Sequence, residues 1–398
     1  MPGAPRILIV GAGIAGLTLA ASLQTFGITP VVVEIGDASM ARGLALMLTS
    51  NIVIALRRVG LDQAVIGNGI VLQRIVHMDP SGTPVEAAHD LHPSNERYGP
   101  CLGITRDGLM SALSGSIQAR VRYSTTIAEV SGLPGAPDVL LSDGTRERFD
   151  LVVGTDGVGS AVRKLIYPDA EPVYRRFCAW RTVMECEDPD PVFRLSTTTG
   201  SFLGSFPAGP ALMYAFLLAH YPEPPALPQG ERLARFKELA ATYSGNVSPL
   251  ITRQHDPANV IFVPVLEVDT ASYHRGRILL IGDAAHAFSP VLAQGAAMAI
   301  EDAVTLAELI GRGDDIDVAL RIYESRRRPR IETIRAAVRR RTIARGMEGQ
   351  ITEDLLSQHP AVFAASLKVF DELIEDSFAV LSERQAGTGV SEVANSFS

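Results

Sequence analysis

Short apolar runs that each lead into a glycine-containing loop divide this chain. The first run, Ile7–Val10, has four consecutive apolar residues, the pattern of a strand buried on both faces of a parallel sheet. The same pattern returns at 150–153 and 277–281, and a segment with helical periodicity follows each loop. Strands, loops and helices in this alternation predict an α/β fold built around a parallel sheet.

The segment from 171 to 275 has a different pattern. Extended apolar stretches separated by Pro and Gly predict a largely antiparallel sheet there. These stretches are 177–186, 192–196, 201–206 and 211–218.

Two stretches earlier in the chain also have local signals. Strands are predicted at 70–78 and 84–88, around a turn at 79–82. Thr105 is predicted to cap a helix over 108–117.

The loop after the first strand reads Gly11-x-Gly13-x-x-Gly16. In a dinucleotide-binding loop, the first glycine permits a tight turn, the second lets the backbone approach a pyrophosphate, and the third lets the helix pack on its strand. Glu34 ends the next predicted strand, 18 residues after Gly16. A carboxylate there accepts hydrogen bonds from ribose hydroxyls and repels a 2′-phosphate. The sequence therefore predicts a site for FAD or NAD rather than NADP.

Composition narrows the class of protein. The chain has 398 residues, 46% hydrophobic and 20% charged, which indicates a globular protein of two or three domains. A net charge of −8 argues against a nucleic-acid partner. Eight arginines between Arg326 and Arg341 are therefore interpreted as an arginine-laced helix face. No apolar run reaches transmembrane length, and the N-terminus lacks a signal peptide's cleavage segment, so we expect a cytoplasmic protein.

The three cysteines are widely spaced and form no C-x-x-C pair. We expect reduced thiols, with neither a disulfide framework nor a metal site.

With all three loops in view, the chain resembles the single-component FAD-dependent aromatic hydroxylases of the para-hydroxybenzoate hydroxylase fold. The motifs that carry the resemblance are GAGIAG with Glu34, GTDGVGSAVR at 154–163, and GDAAHAFSPVLAQGAAMAIEDA at 282–303. In an open α/β sheet, such loops lie at the carboxyl ends of strands and converge on one ligand. The stretch from 171 to 275 is covered only by its strand-rich pattern.

The resemblance implies a Rossmann-like FAD-binding domain interleaved with a sheet-rich substrate domain and followed by a C-terminal helical segment. The expected FAD-binding domain comprises 1–67, 101–170 and 276–330. The expected substrate domain comprises 68–100 and 171–275, and helices with a tail occupy 331–398.

The resemblance also implies roles for individual residues. Glu34 binds the adenosine ribose, Arg42 and Arg106 lie near the phosphates and ribityl chain, and Asp156 serves both FAD and the passing nicotinamide. Asp283 bonds the ribityl chain, and Pro290 borders the isoalloxazine. The helix starting near Gly295 and Ala296 points its N-terminus at the flavin N1/O2 edge. A helix N-terminus there stabilises the anionic reduced ring. The expected cofactor-binding set is Gly11, Gly13, Ala15, Gly16, Glu34, Arg42, Arg106, Asp156, Asp283, Pro290, Gly295 and Ala296.

The implied reaction is hydroxylation or epoxidation of a small aromatic or polycyclic substrate. NADPH or NADH binds transiently and reduces tightly but non-covalently bound FAD, and O₂ then gives a flavin C4a-hydroperoxide that transfers oxygen. No second G-x-G-x-x-G follows a strand, so no separate nicotinamide domain is expected. A FAD-dependent reductase or oxidase of the same fold and a non-catalytic flavin-binding redox sensor remain as alternatives. The sequence leaves monomer and homodimer open.

Several residues are candidates for the substrate site. Arg181 is a candidate for holding a substrate carboxylate or phenolate, against the alternative of a surface or ion-paired arginine. Tyr214 and His220 are candidates for assisting phenol deprotonation, although core packing is favoured for Tyr214. Pro290 completes this set, and Leu46 and Met47 are expected to form apolar pocket walls.

Three positions in the motifs add detail. Ala293 stands where the family usually has glycine, which restricts the backbone beside the flavin. Thr155 replaces a common alanine and adds a hydroxyl. His286 is interpreted as a hydrogen-bonded structural histidine rather than a proton-transfer group.

Overall fold

The computed structural model describes residues 4–37, 44–85, 87–198, 200–245 and 247–344. Arg42 and the expected tail after residue 344 lie outside the described residues. The helices are α1 (Ile14–Gln24), α2 (Ser50–Arg57), α3 (Asp62–Ile66), α4 (His92–Tyr98), α5 (Arg106–Ser114), α6 (Ala161–Ile166), α7 (Gln229–Ala240), α8 (Ser248–Arg253), α9 (Asp283–His286), α10 (Gly295–Gly311) and α11 (Ile316–Ala344), with 3₁₀ turns at Pro257–Asn259 and Pro290–Leu292.

The strands, in chain order, are β1 (Ile7–Val10), β2 (Val31–Val33), β3 (Ala45–Leu48), β4 (Ile70–Val71), β5 (Arg74–Met78), β6 (His89–Asp90), β7 (Leu102–Thr105), β8 (Val121–Arg122), β9 (Ile127–Ser131), β10 (Asp138–Leu141), β11 (Arg146–Arg148), β12 (Leu151–Gly154), β13 (Val173–Glu185), β14 (Val192–Thr198), β15 (Ser201–Gly209), β16 (Leu212–His220), β17 (Val260–Glu267), β18 (His274–Arg275) and β19 (Ile278–Leu280).

The first sheet has the strand order β18-β19-β12-β1-β2-β8, and every pair except β18–β19 is parallel. All residues of β1, β12 and β19 are buried, which confirms the expectation from their continuous apolar sequences. These three strands are neighbours, so the three glycine-containing loops leave the same edge of the sheet side by side. The α1 and α10 helices pack against each other beside this sheet.

The second sheet has the order β17-β13-β16-β15-β14-β5-β6 and is antiparallel except for the pair β14–β5. The antiparallel sheet expected between 171 and 275 is therefore confirmed. The small sheet β3-β7-β4 packs against β15. A Cβ added at Gly103 on β7 would lie 2.0 Å from the Pro207 carbonyl oxygen, so only glycine permits this approach of the two sheets.

Two local predictions need correction and one is confirmed. The strand expected over 70–78 is two strands in different sheets, because the chain turns between β4 and β5. Of the strand expected over 84–88, the residues that the structure describes (84, 85, 87 and 88) form only an isolated bridge between Pro84 and Met78, and the proline ring lacks an N–H for a ladder. Thr105 does cap α5, since its hydroxyl accepts a hydrogen bond from the Gly108 N–H at 3.0 Å.

The arginine-laced face belongs to α11, and part of it points inward. Arg327 and Arg330 are 4% and 7% exposed and form ion pairs with acidic residues of α10. Within the described ranges, no helix combines the length and hydropathy that crossing a membrane requires.

Candidate active site

The three glycines of the first loop differ in what surrounds them. Gly11 has φ +108°, a left-handed conformation that favours glycine, and a Cβ there would lie 2.7 Å from the Thr155 carbonyl oxygen. A Cβ at Gly16 would lie 1.9 Å from the Gly11 carbonyl oxygen. A Cβ at Gly13 would meet nothing within 4 Å, and Gly13 lines a cavity. Gly11 and Gly16 therefore serve the fold, whereas Gly13 leaves space for a ligand.

Thr155 ties the second motif to the first loop. Its hydroxyl lies 2.7 Å from the Gly11 carbonyl oxygen and 2.9 Å from that of Val10. The hydroxyl that replaces the family's usual alanine thus bonds the protein backbone.

Glu34 lies at the end of β2, beside the first loop. Its carboxylate accepts hydrogen bonds from the Ala12 N–H at 2.7 Å and the Gly36 N–H at 2.8 Å. These contacts fix the carboxylate next to the N-terminus of α1. Arg106 begins α5, and its side chain lines the same cavity as Gly13.

Asp156 of the second motif bonds the first turn of α6. Its carboxylate accepts hydrogen bonds from the Ala161 N–H at 2.7 Å, the Val162 N–H at 3.1 Å and the Ser160 hydroxyl at 2.5 Å. Burial raises the pKa of Asp156, and these hydrogen bonds oppose that rise. The side chain caps the N-terminus of α6 and is not among the residues that line the cavity.

Arg163, the last residue of the second motif, also stabilises the loops. Its guanidinium donates hydrogen bonds to the carbonyl oxygens of Ala284 at 3.0 Å and Val158 at 2.5 Å. It is fully buried, and burial lowers its pKa. Arg163 was not among the expected site residues, although its place at the end of the second motif was a signal.

Asp283 is the acidic residue that the third motif presents to the cavity. Its side chain is accessible from the cavity yet surrounded by protein, and this desolvation raises its pKa. The positive charges of Arg181 and Arg106 oppose the rise. Hydrogen bonds from a hydroxyl-bearing ligand would stabilise the charged carboxylate further.

The cavity has a volume of about 540 Å³. It lies between the three motif loops and one face of the second sheet. Its lining from the loops includes Gly13, Ile14, Ala15, Thr155, Gly157, Val158, Asp283, Pro290, Val291, Leu292, Ala293, Gly295 and Ala296; Leu46, Met47 and Arg106 also line it.

The sheet side of the cavity is mostly apolar and aromatic. In the sheet register, Arg181 pairs with Phe216, Phe216 with Gly204, Gly204 with Leu195 and Leu195 with His77. A Cβ at Gly204 would lie 2.3 Å from the Phe216 ring, so glycine lets that ring lie across the sheet. The sheet residues that line the cavity are Ile75, His77, Arg181, Phe193, Leu195, Phe202, Phe206, Tyr214, Phe216, Leu218 and Val263 to Leu266.

The structure brings Arg181, Tyr214 and Pro290 together at this cavity. Tyr214 is 6% exposed; burial raises its pKa, and the charge of Arg181 opposes that rise. Its ring is 5.0 Å from the Phe206 ring. His220 is not brought to the cavity: it ends β16, is exposed, and its ring meets the edge of Phe177 at 5.5 Å.

The third loop connects β19 with α10. Ala293 lies in it with φ 54° and ψ 26°, the left-handed region that costs a residue with a side chain about 1 kcal/mol or more. Gln294 follows as the residue before α10, and its side chain makes no capping hydrogen bond to the helix. His286 is buried, and its Nε2 lies 2.6 Å from the Asp302 carboxylate, which confirms its interpretation as a hydrogen-bonded histidine.

The chemistry of the site fits FAD. Two uncapped helix N-termini, those of α1 and α10, line the cavity and favour negative charge. Gly13 leaves room for a pyrophosphate, and the Glu34 carboxylate is fixed beside that loop. Asp283 offers a carboxylate that is accessible from the cavity and can accept hydrogen bonds from hydroxyl groups.

Comparisons with known proteins agree with this chemistry. Residues 5–338 match the family model described as FAD binding domain. The chain is 31% identical over 331 residues to aurachin C monooxygenase/isomerase of Stigmatella aurantiaca, covering 80% of this chain and 84% of that protein. It is 33% identical over 338 residues to 2-heptyl-3-hydroxy-4(1H)-quinolone synthase of Pseudomonas aeruginosa, covering 83% and 86%. The structure of Klebsiella pneumoniae HpxO with FAD and uric acid superposes with a TM-score of 0.80, 23% identity and coverage of 95% and 97%.

Proposed function

Because the chain belongs to the FAD-binding family of single-component aromatic hydroxylases, and is a FAD-dependent monooxygenase, we propose a substrate class and a role for each cavity residue. NAD(P)H is the electron donor typical of this family. Bound FAD supplies the redox chemistry, in which one oxygen atom of O₂ goes to the substrate and the other to water. The residues of this chain bind and orient the partners.

We propose that the FAD-binding residues are those of the three loops. Gly13, Ala15 and the α1 N-terminus hold the pyrophosphate, and Glu34 holds the ribose. Arg106 and Asp283 hold the phosphate and ribityl region, and Pro290, Gly295 and Ala296 border the flavin ring. Gly11 and Gly16 shape the loop. Asp156 supports the site by capping α6.

We further propose that the chain divides into the discontinuous FAD-binding domain, substrate domain and C-terminal segment expected from its sequence. The parallel sheet belongs to the first domain and the antiparallel sheet to the second. The enzyme would work in the cytoplasm, where NAD(P)H is available.

The proposed substrate is an aromatic compound with a sizeable apolar body and one anionic or strongly accepting group. The observation that carries this proposal is the sheet face of the cavity, where Arg181 stands among aromatic and aliphatic side chains. Among the described residues, no hydrogen bond or ion pair of the Arg181 guanidinium is found, and its charge acts on Tyr214 and Asp283 at the cavity. A guanidinium in that position attracts a phenolate, enolate or carboxylate. Ionising a phenol enriches its ring in electrons, which favours oxygen transfer to it.

Tyr214 is proposed to orient the same group. Its raised pKa keeps its hydroxyl protonated at neutral pH, so it can donate a hydrogen bond to the substrate. Both side chains lie on the cavity face of adjacent strands. The relative named for 2-heptyl-3-hydroxy-4(1H)-quinolone supports a fused heteroaromatic substrate with an apolar substituent.

The proposal is tested by measuring anaerobic flavin reduction by NADPH or NADH across phenols, aromatic acids and 4-quinolones. We expect one class to accelerate reduction. Arg181→Met should weaken binding of that ligand roughly 10- to 150-fold, since a hydrogen bond to a charged group contributes about 1.5–3 kcal/mol.

Arg194→Met is the matched control. Arg194 lies on β14 of the same sheet but is adjacent in sequence to Leu195, so it faces away from the cavity and pairs with Asp190 at 2.6 Å. Ligand binding should not change in this variant. The assignment would be refuted if Arg181→Met and Arg194→Met weakened ligand binding equally, or if Arg181→Met left ligand binding unchanged.

A further inference from the structure

A buried polar network holds both ends of the loop from 282 to 295. At its beginning, the Asp302 carboxylate accepts hydrogen bonds from the Gly282 N–H at 2.9 Å and contacts His286 Nε2 at 2.6 Å. At its end, Asn51 of α2 donates one hydrogen bond to the Gln294 side-chain oxygen at 3.1 Å and another to Glu301 at 2.9 Å. Buried side chains thus hold the cavity-lining loop at its beginning, through Asp302, and at its end, through Asn51.

One arginine joins both anchors, and Arg330 also contacts Glu301. Arg327 of α11 donates to the Glu301 carboxylate at 2.7 Å and to the Asp302 carboxylate at 2.6 Å. Although burial alone would raise the pKa of Asp302, His286 and Arg327 hold it at about 2. Both carboxylates are therefore ionised at neutral pH and form a rigid base for Asn51 and the loop.

Gln294 has an unusual role for the residue that precedes a helix. It is 1% exposed, and its amide is directed away from the α10 N-terminus. The amide nitrogen lies 3.2 Å from the Thr49 hydroxyl and 3.4 Å from the Leu292 carbonyl oxygen, while the amide oxygen accepts from Asn51. The first N–H groups of α10 therefore have no side-chain cap, and Gly295 and Ala296 face the cavity.

The backbone conformation just before Gln294 also requires support. Ala293 is left-handed, and such a conformation persists only where the surrounding contacts fix it. The contacts of Gln294 supply that constraint one residue later. The α10 N-terminus is consequently held in one position relative to the cavity.

We propose that Asn51 and Gln294 are positioning residues that hold the α10 N-terminus against bound FAD and so favour the reduced, anionic flavin over the oxidised flavin. A helix N-terminus stabilises negative charge, and the effect falls off within one turn. Its strength at the flavin therefore depends on how firmly the first turn is held. The inference rests on FAD binding alone and requires no knowledge of the substrate.

The test is the reduction potential of the FAD-loaded protein without substrate, measured by equilibrium titration against a reference dye. Gln294→Met removes the amide contacts with little change in size and none in charge. Asn51→Leu removes the donations to Gln294 and Glu301. Each variant should lose at least tenfold in its preference for reduced over oxidised FAD, which is a shift of about −30 mV for a two-electron couple.

Asn95→Leu is the matched control. The Asn95 amide also makes two partly buried hydrogen bonds, one to the Leu72 carbonyl oxygen at 2.9 Å and one from the Cys101 N–H at 2.8 Å. It belongs to α4, and its partners lie outside the loop from 282 to 295. The control should lower the melting temperature without shifting the potential.

If Asn51→Leu does not fold, Gln294→Met decides the question. A folded Gln294→Met protein with the parent's potential would overturn the proposal. Equal weakening of oxidised and reduced FAD, including complete loss of flavin, would also overturn it, because the contacts would then serve retention alone. A shift of the same size in Asn95→Leu would show that general loosening is the cause.

Discussion

Gly13 and Gly16 lie three residues apart in one loop, yet alanine should act at them in opposite ways. At Gly16, a Cβ would lie 1.9 Å from the Gly11 carbonyl oxygen and 2.8 Å from the Thr155 hydroxyl. Backbone atoms cannot yield cheaply, so α1 must move away from β1. We expect Gly16→Ala to destabilise the FAD-free protein by about 3 kcal/mol, the upper end of the usual cost of overpacking.

At Gly13, the backbone has φ −77° and ψ −169°, which alanine adopts without strain, and a Cβ would meet no protein atom within 4 Å. Alanine gains about 0.4–1 kcal/mol by restricting the unfolded chain. It loses a similar amount because alanine is poor at the N-cap of a helix. The stability of FAD-free Gly13→Ala should therefore stay within about 1 kcal/mol of the parent.

The affinity for FAD, by contrast, should fall in Gly13→Ala, the variant whose FAD-free stability is nearly unchanged. The Gly13 methyl group projects into the cavity where the pyrophosphate must approach, and overpacking of about 1–3 kcal/mol weakens binding roughly 5- to 150-fold. Thermal unfolding of FAD-free protein by circular dichroism and quenching of FAD fluorescence on titration measure the two quantities. Parent-like FAD affinity in Gly13→Ala, or a melting temperature as low as that of Gly16→Ala, would refute the reasoning.

Three further changes have definite expected outcomes. Ala293→Gly should raise the melting temperature, since it relieves about 1 kcal/mol of left-handed strain; a lower value would contradict this. Asp283→Asn should stabilise the FAD-free protein at pH 7 but bind FAD more weakly. Because its pKa is raised in the folded state, the parent gains stability as the pH falls through that raised pKa, and the variant's thermal unfolding should lack this gain. Arg327→Met removes the cation that the Glu301 and Asp302 carboxylates share, which leaves Glu301 with Arg330 and Asp302 with His286. It should cost about 3–5 kcal/mol in denaturant unfolding; a loss below 1 kcal/mol would argue against the shared ion pairs.

The parallel sheet was predictable because its signals are local. A strand buried on both faces has a continuous apolar sequence, and each loop's glycines follow directly. The neighbouring positions of β1, β12 and β19 then follow from the requirement that three loops meet one ligand. Thr105 as the cap of α5 is another local signal that the structure confirms.

The features that the sequence did not reveal depend on distant partners. Arg327 reaches Asp302 across 25 residues, and Asn51 reaches Gln294 across 243. A run of arginines shows neither which of them point inward nor which acids they meet. The orientation of Asp156 toward α6 and of His220 away from the cavity likewise depends on the loop conformation and strand register, which no local pattern fixes.

We propose that this protein inserts an oxygen atom from O₂ into an aromatic substrate. The substrate would lie between the three motif loops and the cavity-lining face of the second sheet, which carries Arg181. The most direct test is mass spectrometry of the product formed under ¹⁸O₂ with NAD(P)H and the ligand that accelerates flavin reduction. We expect a product that contains one ¹⁸O atom and is absent when FAD is removed. NAD(P)H consumption that yields only hydrogen peroxide, or a reduced product without ¹⁸O, would contradict it.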